Sequence, residues 1–271
     1  MVTRSILRPV LRPVTRAVSD TIRGFNPRSL FAAGEQGIWL DPSDFSTLFQ
    51  DAAGTTPVTA LGQPVGKILD KSGRGNHATQ TTSASRPTLQ QDSNGLYYLS
   101  FDGTDDGMAT PSIDFTGTDK MTVWAGITKL SDAVTGTVVE LSASKNANNG
   151  VFALFAPLSG SPDISWYSKG TNERSASSTS ESAPVTRVIT GIGNISGDIS
   201  SLRVNGAVVQ TATADQGPGN FGNYPLYIGA RAGTSLYFNG RLYSLIVRGA
   251  QTPLSQIEAA ERYIKQKMRL P

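Results

Sequence analysis

From residue 96 onward the chain is a train of short runs that alternate apolar and polar residues, each closed by turn formers. Ten runs stand out: 96–102, 121–130, 137–143, 150–156, 163–168, 185–193, 201–205, 207–212, 225–230 and 241–249, with "GIWLD" (37–41) as an earlier strand. A period of two marks strands with one wet face. Asn205-Gly206 separates "SLRV" from "AVVQT", and an Asn-Gly pair supplies the positive φ that a tight hairpin needs at both central residues. Asn149-Gly150 and Asn239-Gly240 are read as further turns. So many strands with almost no helix between them predict a sandwich or barrel and exclude a parallel α/β sheet. The 28 glycines and a charged fraction of only 17% fit an all-β chain of many turns.

Both ends read differently. Residues 1–28 hold Arg4, Arg8, Arg12, Arg16, Arg23 and Arg28 against Asp20, with "LRPV" repeated and Pro9 and Pro13 interrupting any helix. This predicts an extended arm to about residue 13 and a short helix over 14–23. Aliphatics between the arginines (Ile6, Leu7, Val10, Leu11) suit an anchor better than a solvating tail. The body after residue 28 carries little net charge, which argues against a nucleic-acid-binding surface. No apolar run of spanning length exists, so membrane insertion is not expected, and no h-region marks a secretory signal. "DPSDFSTLFQD" (41–51) suggests a helical turn or short helix, and 52–66 and 170–186 read as loops. At the other end, 252–271 has helical spacing, with Ser255 and Glu258 in capping-box register.

Candidate chemistry is sparse. "LDKSGRGNHATQ" (69–80) brings Asp70 and Ser72 near His77, the only histidine. A hydrolytic triad draws its members from separate segments, so this Gly-rich stretch reads as a structural turn. A metal role for His77 lacks a second histidine, and with no cysteine there is no thiolate ligand or Cys nucleophile. Paired carboxylates for sugar hydrolysis are missing: Glu140 stands alone in "VVEL". No catalytic residue is expected. Asp102, Asp105 and Asp106 in "FDGTDDG" are oxygen donors that suit calcium, the one cofactor candidate, although Asp-Gly pairs also make ordinary turns. Trp39 and Trp124 sit in apolar runs and are expected in the core. Trp166 and Tyr167, beside Ser165 and Ser168, are the candidates for stacking on sugar rings.

Five stretches in order carry a family likeness: "DKSGRGNHAT" (70–79), "YLSFDGTDDGM" (98–108), "MTVWAGITK" (121–129), "SLRVNGAVVQT" (201–211) and 226–264. Together they resemble the laminin-G-like, concanavalin A-like jelly-roll superfamily over roughly residues 35–265. That likeness implies an antiparallel jelly-roll sandwich over 29–251, preceded by the basic arm (1–28) and followed by a short helix (252–271) packed on it. Residues 34–80 also look like regions of tailed-bacteriophage virion proteins with this fold. The expectation that follows is a non-enzymatic virion structural protein (capsid decoration, collar or tail fibre). It would be assembled in the host cytoplasm and carried on the particle exterior. Arg4, Ile6, Leu7, Arg8, Val10, Leu11, Arg12 and Arg16 would anchor it to other virion proteins. The alternative is a lectin module for host-surface glycan, and the least favoured reading is a polysaccharide-degrading enzyme. A homo-oligomer is expected, with trimers suggested by analogy with fibres.

Overall fold

A computed structural model describes residues 24–158 and 161–271. The anchoring residues Arg4 to Arg16, and the short helix expected over 14–23, lie outside the described residues. In chain order the strands begin with β1 (Gln36–Leu40), β2 (Leu48–Phe49), β3 (Lys67–Ile68), β4 (Ala78–Thr79), β5 (Thr88–Gln91) and β6 (Tyr97–Asp102). There follow β7 (Met108–Asp114), β8 (Lys120–Lys129), β9 (Thr137–Leu141), β10 (Val151–Phe155), β11 (Ile164–Lys169) and β12 (Glu173–Ser178). The last are β13 (Val185–Asn194), β14 (Ile199–Val204), β15 (Ala207–Ala212), β16 (Asn223–Ile228) and β17 (Asn239–Gly249), with one α-helix among the described residues, α1 (Leu254–Lys267).

These strands form two antiparallel sheets. The first runs β15-β14-β13-β8-β17-β6-β5, with β1 added on β17. The second runs β12-β11-β10-β9-β16-β7-β4-β3-β2. Alternation does the sorting: Val123, Ala125 and Ile127 of β8 face Phe152, Leu154 and Trp166 of the other sheet in one continuous core. The expected all-β sandwich with a C-terminal helix is therefore what the chain forms. No described helix is long and apolar enough to cross a membrane.

A second apolar layer lies on the outer face of the first sheet. Ile257, Ala260 and Ile264 of α1, with Met268 at its C-cap, cluster with Trp39, Trp124, Val188, Tyr243 and Ile246. Gly126 of β8 makes room for the helix, since a Cβ there would stand 2.5 Å from the Met268 sulfur. Polar groups fix the docking. Glu261, buried on α1, accepts from Arg203 Nε (2.7 Å), Arg203 Nη2 (3.0 Å) and the Thr190 hydroxyl (2.9 Å).

The chain enters beside the same helix. Phe25 meets Tyr263 edge-on at 6.2 Å, and Pro27, Leu30 and Phe31 of a single 3-10 turn are buried. Packing thus begins before residue 29, because Phe25 and Pro27 have an apolar surface to cover.

Other expectations need correction. The capping box does not form: Pro253 is the N-cap, its carbonyl accepts from Gln256 and Ile257, and Ser255 already lies inside the first turn. Asn239-Gly240 is not a turn but the start of β17; its glycine is needed because a Cβ would fall 2.2 Å from the Phe238 ring. The polar stretch 170–186 contains β12, an edge strand whose serines face solvent and its neighbour strand. Residues 41–51 hold a 3-10 turn at Phe45–Thr47, capped by Asp44, and then β2.

The stretch around His77 proves structural. Asp70 is buried and accepts four hydrogen bonds, from Trp39 N (2.9 Å), Ser72 N (2.8 Å), Ser72 Oγ (2.7 Å) and Asn76 N (3.1 Å). His77 Nδ1 accepts from Asp70 N (3.0 Å). Lys71 N donates to Trp39 O, and Asn76 Nδ2 to Gly37 O, so this loop closes the outer edge of β1.

Breaking the Glu261–Arg203 pair strands a buried guanidinium, which costs about 3–5 kcal/mol. Urea unfolding of Glu261→Ala is expected to show a loss of that size, with Glu261→Gln retaining part of it. A loss below about 1 kcal/mol in the alanine variant contradicts the assigned role.

Candidate functional site

With α1 seated on the first sheet, the outer face of the second is the one left uncovered by a helix among the described residues. The strand registers place one row of residues across it: Thr79, Ala109, Tyr227, Glu140, Ala153, Tyr167 and Ser175, each opposite the next. Directly opposed residues share a face. The two tyrosines stand three strands apart, roughly 14 Å.

The middle of the row is roofed by two cations. Arg231 Nε donates to Glu140 Oε2 at 2.8 Å, and its guanidinium lies 5.4 Å above the Phe155 ring. Lys145 Nζ pairs with Glu173 at 2.6 Å and sits 4.2 Å over the Tyr167 ring, while its backbone N–H donates to Glu140 Oε1 at 2.6 Å. Burial raises the Glu140 carboxyl above its ordinary range, with Arg231 opposing the shift. Tyr167 is raised by burial first and then by Glu173. Both oxygens of Glu140 are occupied, and Glu173 is neutralised by Lys145. Neither carboxylate is free to act as the nucleophile or acid of a hydrolytic pair.

Beside this roof the face opens. A recess of about 320 Å³ lies against Tyr227, with Gln80, Gly107, Ala109, Ala232 and Gly233 among its walls. Its rim is held by backbone contacts: Gln80 Nε2 donates to Gly107 O at 2.6 Å, and Arg86 donates to the carbonyls of Gln80 and Thr81. The opposite wall is the 231–236 turn, closed by a bridge between Arg231 and Ser235. Ala232 (φ 53°) and Leu236 (φ 50°) are held there in left-handed conformation, as is Ser142 (φ 80°) just after Glu140. Non-glycine residues in that region cost energy and are retained where surrounding structure demands them.

Gly107 joins the recess to the acidic cluster. The carboxylate oxygens of Asp102, Asp105 and Asp106 lie within 4.8 Å of one another. Asp106 is buried and accepts from Asp102 N at 3.0 Å; Asp102 accepts from Thr104 N and Asp105 N; Ser85 Oγ donates to Asp105 at 3.3 Å. Burial, then the charges of Asp102 and Asp105, push Asp106 up to about 6. Hard oxygen donors at this separation match calcium, whose ligands sit about 2.3–2.6 Å from the ion.

Of the sequence candidates, Tyr167 is on the open face but half-buried under Lys145. Trp166 is 0% exposed, stacks on Phe152 at 5.3 Å and donates its indole N–H to Ile192 O at 3.1 Å. It cannot stack on a sugar. The strand period sends Trp166 inward and Tyr167 outward, and Gly191 leaves the space the indole fills. Trp39 and Trp124 are core residues as expected. Sequence reasoning missed Tyr227 and Arg231; the only available signal was the outward phase of Tyr227 in "PLYIGA".

Comparison with known proteins agrees on the architecture. The family model described as the concanavalin A-like lectin/glucanases superfamily matches residues 102–251. No curated protein matches the chain in sequence. Among solved structures, it is similar to the botulinum neurotoxin serotype D binding domain (TM-score 0.58, 10% identity, 84% of this chain and 52% of that one). It is also similar to botulinum neurotoxin type C, which depends on interaction with two ganglioside molecules to get into cells (TM-score 0.57, 10% identity, 85% and 51%). A third is the botulinum neurotoxin DC binding domain in complex with SialylT (TM-score 0.53, 11% identity, 73% and 48%). The chain spans about half the length of these proteins. At such identities the likeness is one of fold.

If the three aspartates hold calcium, millimolar Ca²⁺ raises the melting temperature at pH 7.5, and Asp106→Asn abolishes the rise. In chelator, folded Asp106 binds its proton more tightly than the unfolded chain does, so its contribution to stability falls as pH climbs from about 4 to about 6. Asp106→Asn is therefore expected to gain on the wild type over that window. Equal calcium responses in the two proteins would remove the site.

Proposed function

The chain belongs to the concanavalin A-like lectin/glucanase superfamily, and from that premise we propose that it is a non-enzymatic carbohydrate-binding module. The observation that carries this reading is the recess beside Tyr227, set on the broad sheet face that no helix covers among the described residues. A half-buried tyrosine offers a flat apolar ring for the C–H face of a sugar. The amide of Gln80 is engaged with Gly107 O and Thr82 N, and so fixes one rim of the recess. Arg231 uses only Nε on Glu140, which leaves its terminal nitrogens to donate to hydroxyls. The volume is at the lower end of small-molecule pockets, roughly 300–1,000 Å³, and suits a terminal sugar more than a long chain. Calcium on Asp102, Asp105 and Asp106 would stiffen the Gly107 wall.

A non-enzymatic reading draws support from the same face. Its carboxylates are held by Arg231 and Lys145 rather than set against each other across a bond. The sugar-dependent behaviour of the similar neurotoxin domains adds weight to binding as the purpose. Carriage on a phage particle, with residues 1–28 as the anchor to other virion proteins, draws its support from the sequence likeness and the arginine spacing alone.

On an array of bacterial and animal glycans the full chain is expected to bind a defined subset. Tyr227→Ala should weaken that binding at least ten-fold, Tyr227→Phe should keep most of it, and no reducing ends should be released. Unchanged binding by Tyr227→Ala, or a wild-type chain that binds nothing, counts against the reading.

A further inference from the structure

A sheet edge exposes unpaired N–H and C=O groups, and native proteins cover or blunt such edges. In this molecule the edges can be followed one by one. The free side of β5 is taken by the 62–65 segment: Gly62 N donates to Leu89 O and Leu89 N to Gln63 O, with a bridge between Pro64 and Thr88. That of β2 is taken by 56–58, through Val58 N to Leu48 O and a bridge between Phe49 and Pro57. That of β1 is closed by the Asp70 loop. β12 carries Glu173 and Arg174, and its Ser177 N–H donates to the Gln210 side chain at 2.5 Å.

β15 is the exception. Among the described residues its backbone bonds only to β14. Ala207 through Thr211 are all exposed, with Val208 at 57% and Val209 at 42%. "AVVQTA" has no charge and no proline to discourage pairing. Its bulge, where Arg203 opposes Val208 and Leu202 opposes Gln210, leaves Val209 unopposed and sets two exposed valines side by side.

We propose that β15 is a homodimer interface, pairing antiparallel with β15 of a second copy across a two-fold axis. An uncharged strand meets its own copy without repulsion, and antiparallel pairing of identical strands is self-complementary. Among the described residues β15 is the edge left most open, and two-fold pairing through it uses that edge in both copies, which makes the pair a dimer. A six-residue strand contact is small beside the roughly 1,200–2,000 Å² of a stable interface, so the dimer is a concentration-dependent one. The interface is remote from Tyr227, and the proposal does not rest on carbohydrate binding.

The cysteine-free chain allows a direct test. Val209→Cys, oxidised mildly, is expected to run as a covalent dimer, while Ser93→Cys, in the turn between β5 and β6 at the other end of the sheet, stays monomeric. In sedimentation velocity the wild-type full chain should shift from monomer to dimer as concentration rises. Val208→Lys, checked for native circular dichroism, should remain monomeric throughout. A wild-type chain that never dimerises, a dimer that survives Val208→Lys, or equal cross-linking of both cysteine variants overturns the proposal.

Discussion

The reach of Glu261 into the first sheet decides which surface of this sandwich meets solvent. Its carboxylate ties α1 to Arg203 on β14 and Thr190 on β13, in a layer otherwise built from Trp124, Ile246, Ile257 and Ile264. A buried ion pair adds little net stability over an apolar substitute. Its value here is directional: it holds the helix in one register on one face. Among the described residues the other sheet then keeps an open outer face, where aromatic, cationic and hydroxyl-bearing side chains come together beside a cavity.

The rest of the molecule serves that division. The Asp70 loop looks catalytic as a string of residues, yet Asp70, Asn76 and His77 are turned toward the backbone of β1 or of the loop itself, while Lys71 pairs with Asp41 and Asp44 and Arg74 donates to Phe31 O. It converts an edge into a paired strand and positions the 78–80 segment that forms one rim of the recess. The acidic 102–106 turn lies on the far side of Gly107 from that recess. Repulsion among three carboxylates is acceptable in a turn that a cation can bridge, and otherwise it is a local weakness.

Much of this was legible beforehand. Alternation in "MTVWAGITK", the Asn205-Gly206 hairpin and the helical spacing after residue 252 give two sheets and a helix without further help. What escaped was whatever depends on long-range register. Trp166 and Tyr167 are adjacent letters on opposite faces, and which one faces inward is set by Phe152 and Gly191, distant in the chain. Glu140 read as solitary because its partner, Arg231, is 91 residues away. Ser255 looked like a cap because a local motif does not reveal that Pro253 takes the cap position. The polar "ERSASS" strand of β12 was hidden for a related reason: an edge strand with one face wet needs few apolar residues to stay paired.

Binding at the Tyr227 recess is the claim from which the functional account follows, and observing the tyrosine rings themselves tests it most directly. With the tyrosines isotopically labelled, a saccharide bound by the full chain is titrated in and the aromatic resonances are followed by NMR. The account predicts that Tyr227 shifts in a saturable way while Tyr98 and Tyr243, buried beneath the helix layer, hold still. Saturable shifts at Tyr243 with Tyr227 unmoved would contradict it.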